Sequence, residues 1–460
     1  MVTHTNPSAA PTTAPRAEGP ILTGWEAVRV ATALGYPSVA AGVIARRRPI
    51  MAVLETVRAD DTTLETVREL RHRFGSGPVQ LRLPGRRLAV VLEPEDVARV
   101  LAESPDPFTP ANREKKSALS PFQPRGVLIS GGHLRRQRRD FNEAVLDTSM
   151  PVHHLAPEIV PVIAEETNTL LDLAVRSGRL DPDQFTKMWW RIVRRIVFGS
   201  AARDDETPTD RLWRLRGIGN WSYLLPDRPR LREKFFDDLY RYVGHAEPGS
   251  LAATIAATDA GGAVDPVGQM PHWLFAFDAA GIACSRALAL LATHPDERRH
   301  AEAEVDGADL TEVQQYRYLR AVMLDSVRLW PTTPAILRDS TEETGWGPDG
   351  RRFTVPAGTA FLVLASAFHR DGTTLEFADR FVPQIWLDGR AQSYPQLVPF
   401  SAGPAECPGR NLVLLVTSTV MAHLLARVRF ELTSAPSLSP DRPLPATLNN
   451  FGLRFAVHPR

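Results

Sequence analysis

Pro399-Phe400-Ser401-Ala402-Gly403-Pro404-Ala405-Glu406-Cys407-Pro408-Gly409-Arg410-Asn411-Leu412 is the stretch on which the reading of this chain turns. Pro408 suits the first turn of a helix, where its missing N–H costs nothing, and the apolar run from Leu412 to Leu425 continues that helix into a core. Cys407 is thereby expected at a helix N-terminus, where free backbone N–H groups and the positive end of the dipole favour a thiolate. That makes it a metal-ligand or nucleophile candidate. The plainer reading is a buried, inert packing cysteine.

Of 460 residues, 43% are hydrophobic and 23% charged, the proportions of a soluble globular chain rather than a disordered, collagen-like or coiled-coil one. The 54 basic and 53 acidic residues nearly cancel, so no global field points to DNA, RNA or an anionic membrane as the main partner. Cys284 and Cys407 are too few for a disulfide framework or a zinc cluster, which suits a reducing, cytoplasmic setting. At about 150 residues per domain the length suggests roughly three domains. No internal repeat and no Gly/Ser linker marks a boundary between them.

Residues 1–20 are small, polar and proline-rich, lack the layout of a secretory signal, and read as a disordered tail. Trp25 to Ala45 is moderately apolar, but Glu26, Arg29, Gly35, Pro37 and Gly42 argue against a transmembrane segment and for a surface-packed helix pair. Arg46, Arg47 and Arg48 leave a weak peripheral membrane contact as the other reading. Thr62 is expected to cap a helix running through Arg73 and ended by Gly75 and Gly77. Alternating runs from Val79 to Leu83 and Arg87 to Leu92 around Pro84-Gly85 read as a β-hairpin. Helices then dominate, with 203–250 broken by Pro226, Pro229 and Pro248 into a mobile cover. Short strands return at 352–366, Arg429 to Leu432 and Gly452 to Val457. The class is mainly α with small β-sheets.

The cysteine segment resembles the haem loop of the cytochrome P-450 family of haem-thiolate enzymes, F-x-x-G-x-(R/H)-x-C-x-G. Phe400, Gly403, Cys407 and Gly409 match it; Ala405 stands where the family has Arg or His, so a donor to a haem propionate is lost. The resemblance implies haem b (iron protoporphyrin IX) with Cys407 as axial thiolate, a ligand that pushes electron density onto iron and favours O–O cleavage. Asp325 and Arg328, three apart on one helix face, match the family's E-x-x-R pair with an acid one methylene shorter. Ala378-Asp379-Arg380-Phe381 supplies Arg380 to the same buried charge network. As a solvated ion pair, Asp325 and Arg328 would be worth only tenths of a kcal/mol. Arg338, ten residues beyond Arg328, takes the place of a strand arginine that binds a haem propionate.

In Gly131-Gly132-His133-Leu134-Arg135-Arg136-Gln137-Arg138-Arg139, Arg138 fills the second propionate position and Leu134 the family's aromatic or histidine position. His133 is one place off. The cluster from Arg135 to Arg139 otherwise reads as a solvated face or a nucleic-acid patch. Near-zero net charge and the absence of interleaved aromatics favour a docking face for an acidic electron donor, with no nucleic acid as partner. His369-Arg370-Asp371 also opens a protein-kinase catalytic loop, but the Gly-rich loop, strand lysine and D-F-G of a kinase are missing, and the four lysines all sit in helical, polar contexts.

Residues 272–295 form the most apolar long helix, with Asp278 at its middle, a costly place for a carboxylate that is not paired or protonated. Counting back from His294-Pro295 aligns the family's (A/G)-G-x-(D/E)-T-(T/S) with Phe275 to Ala280. Asp278 is then the acid of the proton-relay pair, and Ala279 replaces its threonine. A register five residues on would put Ala283 and Cys284 there; the ungapped one is preferred, leaving Cys284 as packing. The substrate pocket is expected among Phe275, Phe277, Ala280, the 100–125 loop, the 203–250 cover and the tail turn with Asn449 and Asn450.

The resemblance covers about residues 60–460 and implies one haem-thiolate domain over 21–460, of the soluble bacterial type, without a transmembrane segment. It implies a monooxygenase that hydroxylates a small lipophilic substrate, with electrons from a separate ferredoxin or flavodoxin and its reductase. Ala279 raises a peroxide-driven or redox-neutral haem enzyme as an alternative. Leu134, Ala405 and Asp325 together raise a non-catalytic haem-binding or scaffold protein.

Overall fold

The helical periods of the sequence become sixteen α-helices in a computed structural model that describes residues 19–348, 352–434 and 438–460. In chain order they are α1 (Gly24–Ala41), α2 (Arg48–Thr56), α3 (Ala59–Phe74), α4 (Pro94–Ala102), α5 (Arg113–Leu119), α6 (Gly132–Val145), α7 (Ala156–Ser177) and α8 (Pro182–Phe198). There follow α9 (Thr207–Gly219), α10 (Pro229–His245), α11 (Leu251–Ala257), α12 (Met270–Thr293), α13 (Pro295–Asp306), α14 (Arg317–Leu329), α15 (Ala365–His369) and α16 (Arg410–Arg427).

Eleven short strands complete the described residues: β1 (Ile21–Leu22), β2 (Val79–Leu83), β3 (Arg86–Val90), β4 (Phe108–Thr109), β5 (Arg179–Leu180), β6 (Ile336–Ser340), β7 (Thr344–Trp346), β8 (Phe353–Val355), β9 (Ala360–Val363), β10 (Val428–Leu432) and β11 (Phe455–Pro459). The largest sheet runs β1-β2-β3-β9-β6-β4; a second runs β10-β11-β5, and β7 pairs with β8. The expected hairpin is β2 and β3, in register from Val79↔Val90 to Leu83↔Arg86. On β6 the two-residue alternation turns Ile336, Arg338 and Ser340 inward, so an arginine enters the buried face of a strand.

The main core joins α7, α8, α12, α14 and α16 through side chains such as Ile192, Leu288, Val322 and Val420, all fully buried. Val267–Thr293 is long and apolar enough by composition to cross a membrane, but 67% of its most apolar window is buried inside the molecule, as in a core helix. Gly281 explains how closely α12 meets α8: a Cβ there would lie 2.7 Å from Trp189 Nε1, and that indole donates to Phe277 O at 2.8 Å.

Three boundaries differ from expectation. α3 begins at Ala59, so Thr62 lies inside it rather than capping it, and Asp60 and Asp61 supply the first-turn acids that favour a helix start. The Trp25–Ala45 pair is a single helix, because Pro37 is accommodated within α1, with α2 following it. α16 begins at Arg410 with Gly409 as its N-cap, which leaves Pro408 in the preceding loop. Of the expected tail, residues 1–18 lie outside the described residues.

Candidate functional site

The loop before α16 is shaped by its own backbone. Cys407 N donates to Phe400 O at 2.9 Å, Glu406 N to Gly403 O at 2.9 Å, and Ser401 adopts φ 64°. Gly403, at φ 67°, lies so close to the end of α4 that a Cβ would sit 2.2 Å from Leu101 O. Three neighbours hold the loop from outside. Arg139 Nη1 donates to Glu406 O at 2.6 Å, Thr148 Oγ1 to Pro408 O at 2.8 Å, and Arg338 Nη2 to Ser401 Oγ at 3.3 Å. Phe400 packs on the main core. Cys407 keeps partial access to solvent, yet burial pushes its thiol up, more than the Gly409 N–H and the Arg139 charge pull it down. The helix end by itself therefore does not make the thiolate expected from sequence. A positive partner on sulfur is required.

Beside this loop lies a group of cations, Arg135 and Arg338 buried and Lys115 half-buried. Arg338 donates Nε to Ser104 Oγ at 3.1 Å, Arg135 Nη1 reaches Val127 O at 3.3 Å, and Lys115 Nζ reaches Leu337 O at 3.1 Å. Their charges oppose one another: Arg135 lowers the pKa of Arg338, and after burial both arginines lower that of Lys115. Burial, with Arg135 beside Arg338 and Arg139 beside Arg135, brings the Arg338 and Arg135 guanidinium groups down to about 10. Among the described residues none of the three has a carboxylate within 4 Å; the nearby Glu114 and Asp339 are both taken by Arg86. Unpaired buried charge of this kind is costly unless an anion completes it. Three such cations beside a cysteine loop fit a group with two carboxylates and a thiolate-binding metal, as haem b has.

Arg138, the arginine expected to face a propionate, is buried as well; it lies about 60° around α6 from Arg135 and donates to Ser130 Oγ at 2.6 Å and Val264 O at 3.2 Å. Leu134 is partly buried and His133 exposed. Lys115, expected in a polar helical context, is instead drawn inward from α5. Its signal was its rarity, one of four lysines among 54 basic residues.

On α12, His272, Phe275, Ala276 and Ala279 are partly exposed along one stripe, as four residues at helical spacing lining a space would be. The His272 Nδ1 has no partner, and burial beside Lys115 takes its pKa down to about 4. Asp278 stands on the flank of this stripe and pairs with Arg216 of α9 at 2.7 Å. Arg216 also donates to Ile44 O, and its guanidinium lies 4.9 Å from the Phe275 ring centroid. Phe277 and Ala280, expected in the pocket, are 3% and 5% exposed and pack into the core instead. Ala283 and Cys284 are buried as well, with Ala283 O accepting from Ser326 Oγ at 3.0 Å, so the shifted register faces packing. Burial pushes the Cys284 thiol up. Asn449 caps the turn before β11 and accepts from Phe451 N at 3.1 Å, while Asn450 Oδ1 has no partner.

Asp325 and Arg328 of α14 are fully buried and joined twice, at 2.6 and 3.1 Å. Val382 N and Trp386 Nε1 also donate to Asp325, at 2.8 and 3.1 Å. Arg380 enters this network through its backbone, its O accepting from Arg328 Nη2 at 2.6 Å, while the residue itself is exposed. The expected arginine side chain is therefore replaced by a carbonyl. His369 accepts from Val398 N at 2.9 Å, and Asp371 pairs with Arg71 at 2.5 Å, so the kinase-like triplet is a set of cross-links.

Sequence comparison meets this geometry. Residues 277–450 match the family model for cytochrome P450, a span that holds Asp278, the Asp325 network, Arg338 and the cysteine loop. Cyclooctat-9-en-7-ol 5-monooxygenase of Streptomyces melanosporofaciens is 32% identical over 34% of this chain and 33% of its own. Sugiol synthase of Salvia miltiorrhiza is 31% identical over 36% of this chain and 35% of its own. Probable cytochrome P450 4s3 of Drosophila melanogaster is 30% identical over 40% and 36%. The chain thus matches about a third of the length of these curated relatives.

Proposed function

Because the chain is a member of the cytochrome P450 family, we propose that it is a haem-thiolate monooxygenase that hydroxylates a small lipophilic molecule. Electrons would come from a separate ferredoxin or flavodoxin system, and residues 21–460 would act as one domain. The observation that carries the reading is the gathering of Arg338, Arg135 and Lys115, without acidic partners, beside the Cys407 loop. When bound, haem b supplies the reduction of O2 and the cleavage of its O–O bond. Cys407 would supply its thiolate ligand, and the three cations would hold its carboxylates. On α12 the chain presents the small side chains of Ala276 and Ala279, which leave room, and Phe275, which makes that room apolar.

Asp278 is held by Arg216 at the edge of this stripe, where a carboxylate can pass a proton inward through water. No hydroxyl accompanies it: His272, Phe275, Ala276 and Ala279 carry none. That favours a second reading, a peroxide-driven enzyme, in which less proton delivery is asked of the protein. A ferrous–CO difference spectrum tests the ligand, since a protein lacking the red-shifted thiolate band is not a haem-thiolate enzyme. Product rates with redox partners and with hydrogen peroxide then separate the two readings. Asp278→Asn should cut the NAD(P)H-driven rate by about 10²-fold while preserving the CO band. An unchanged rate would remove Asp278 from proton delivery.

A further inference from the structure

A cavity of about 880 Å³ is lined by neither Phe275 nor Ala279 of the partly exposed stripe on α12. It lies against Asp278, Gly281, Ile282 and Ser285 of α12, a face rotated by roughly a quarter of a turn from Phe275 and Ala279. Trp189 of α8, Trp213 of α9 and Phe451 of the tail turn add aromatic walls. Arg216 is the partition: it pairs with Asp278 on the cavity side and stacks on Phe275 on the other.

Arg46 also lines this space, as do Arg47, Lys187 and Arg194, none of them with a carboxylate within 4 Å among the described residues; Arg47 lies 4.6 Å from the Trp221 ring centroid, and Arg194 is spent on Arg203 O at 2.8 and 3.0 Å. Asp183 is tied to Arg48 at 2.5 Å, Asp181 caps α8, and Glu206 and Asp210 are exposed at the rim. Arg216 has Asp278 and a carbonyl. Arg46 has one hydrogen bond, from Nη2 to Thr332 O at 3.1 Å, and no carboxylate within 4 Å among the described residues. Burial depresses its pKa, while Asp60 and Asp278 support it only from a distance. A half-buried guanidinium with most of its donors free, on the wall of an aromatic cavity, suits a bidentate carboxylate attached to an apolar body.

We infer that this cavity binds a lipophilic carboxylic acid, its carboxylate on Arg46 and its body along Trp189, Trp213, Ile282 and Phe451, and that such acids are the substrate class. The substrate role rests on the haem-thiolate reading; the binding site does not.

The test titrates the haem-loaded protein with three matched pairs: dodecanoate and dodecan-1-ol, 2-naphthoate and 2-naphthylmethanol, dehydroabietate and dehydroabietinol. Tryptophan fluorescence reports the cavity, and the haem spin shift reports arrival at the reaction centre. At least one acid should bind about tenfold more tightly than its alcohol and shift the spin state. Arg46→Met should weaken that acid about tenfold or more and leave the alcohol unchanged, with Arg46→Lys partly restoring it. Gly217→Phe, where an added Cβ meets nothing within 4 Å, should fill the cavity and block acid and alcohol alike in a folded protein. Equal affinities within every pair, indifference to Arg46→Met, acid binding that survives Gly217→Phe, or tight acid binding without a spin shift would each overturn the inference. A missing CO thiolate band with Arg46-dependent fluorescence intact would instead overturn the enzyme reading.

Discussion

A guanidinium with no water around it is tolerable only when its donors are all engaged, and Arg328 meets that condition with two bonds to Asp325 and three to the carbonyls of His369, Ala378 and Arg380. Asp325→Ala should therefore cost about 3–5 kcal/mol, read from chemical denaturation, because it strands a buried charge. His369 gives the same network a pH dependence. Burial and the neighbouring Arg328 charge lower its pKa from 6.5 to about 3 in the folded state. A depressed folded-state value means the stability it contributes is complete above pH 6.5 and is lost as pH falls toward about 3, since unfolding then takes up a proton. His369→Gln should be less sensitive to acid over that window; equal slopes for both proteins would exclude the effect. Asp325 and Arg328 were legible because helical spacing joins them. The Arg380 contribution was not, since a backbone carbonyl leaves no mark on residue identity. Arg135 and Arg138 lie one turn apart, about 60° in direction, and nothing local chooses between them. Arg135→Gln should lower haem occupancy, measured as Soret to protein absorbance, about tenfold more than Leu134→Ala, whose side chain makes no polar contact; equal occupancies would return the propionates to other donors.

Among the elements, α12 and the cysteine loop depend on close approaches that forbid a side chain. Gly403→Ala would need a left-handed alanine with its Cβ against Leu101 O, a backbone atom that cannot swing away. The expected loss is about 2 kcal/mol or more in stability, accompanied by reduced haem retention. Gly281→Ala would push on Trp189 and loosen the seam of α12 with α8 at a cost of about 1–3 kcal/mol, with a matching fall in Tm. The long apolar period of α12 and α16, the β2–β3 hairpin and the tail strands were all visible as patterns. Element ends were less so. Pro408 is compatible with a first helical turn but does not compel one, and the loop's bonds to α6 and β6 delay α16 to Arg410.

For the molecule as a whole, near-zero net charge conceals an uneven distribution. Arg135 and Arg138 are turned inward, so the cationic surface near the loop is carried by Arg136 and Arg410, which are exposed. An acidic electron donor should dock there with an association rate that falls as salt rises, and Arg136→Glu should slow it about tenfold without altering the CO band. A rate indifferent to both would place the donor elsewhere. The placement of the two thiols has a practical consequence. Cys284 is sealed within the packed side of α12, and Cys407 is the sulfur that the cofactor would occupy. A thiol-specific chromogenic reagent added to the folded protein therefore counts empty molecules: about one equivalent reacts without cofactor, none when loading is complete, and two only after denaturation. Frugal use of cysteine gives this chain a built-in gauge of its own occupancy, readable without labels or mutations.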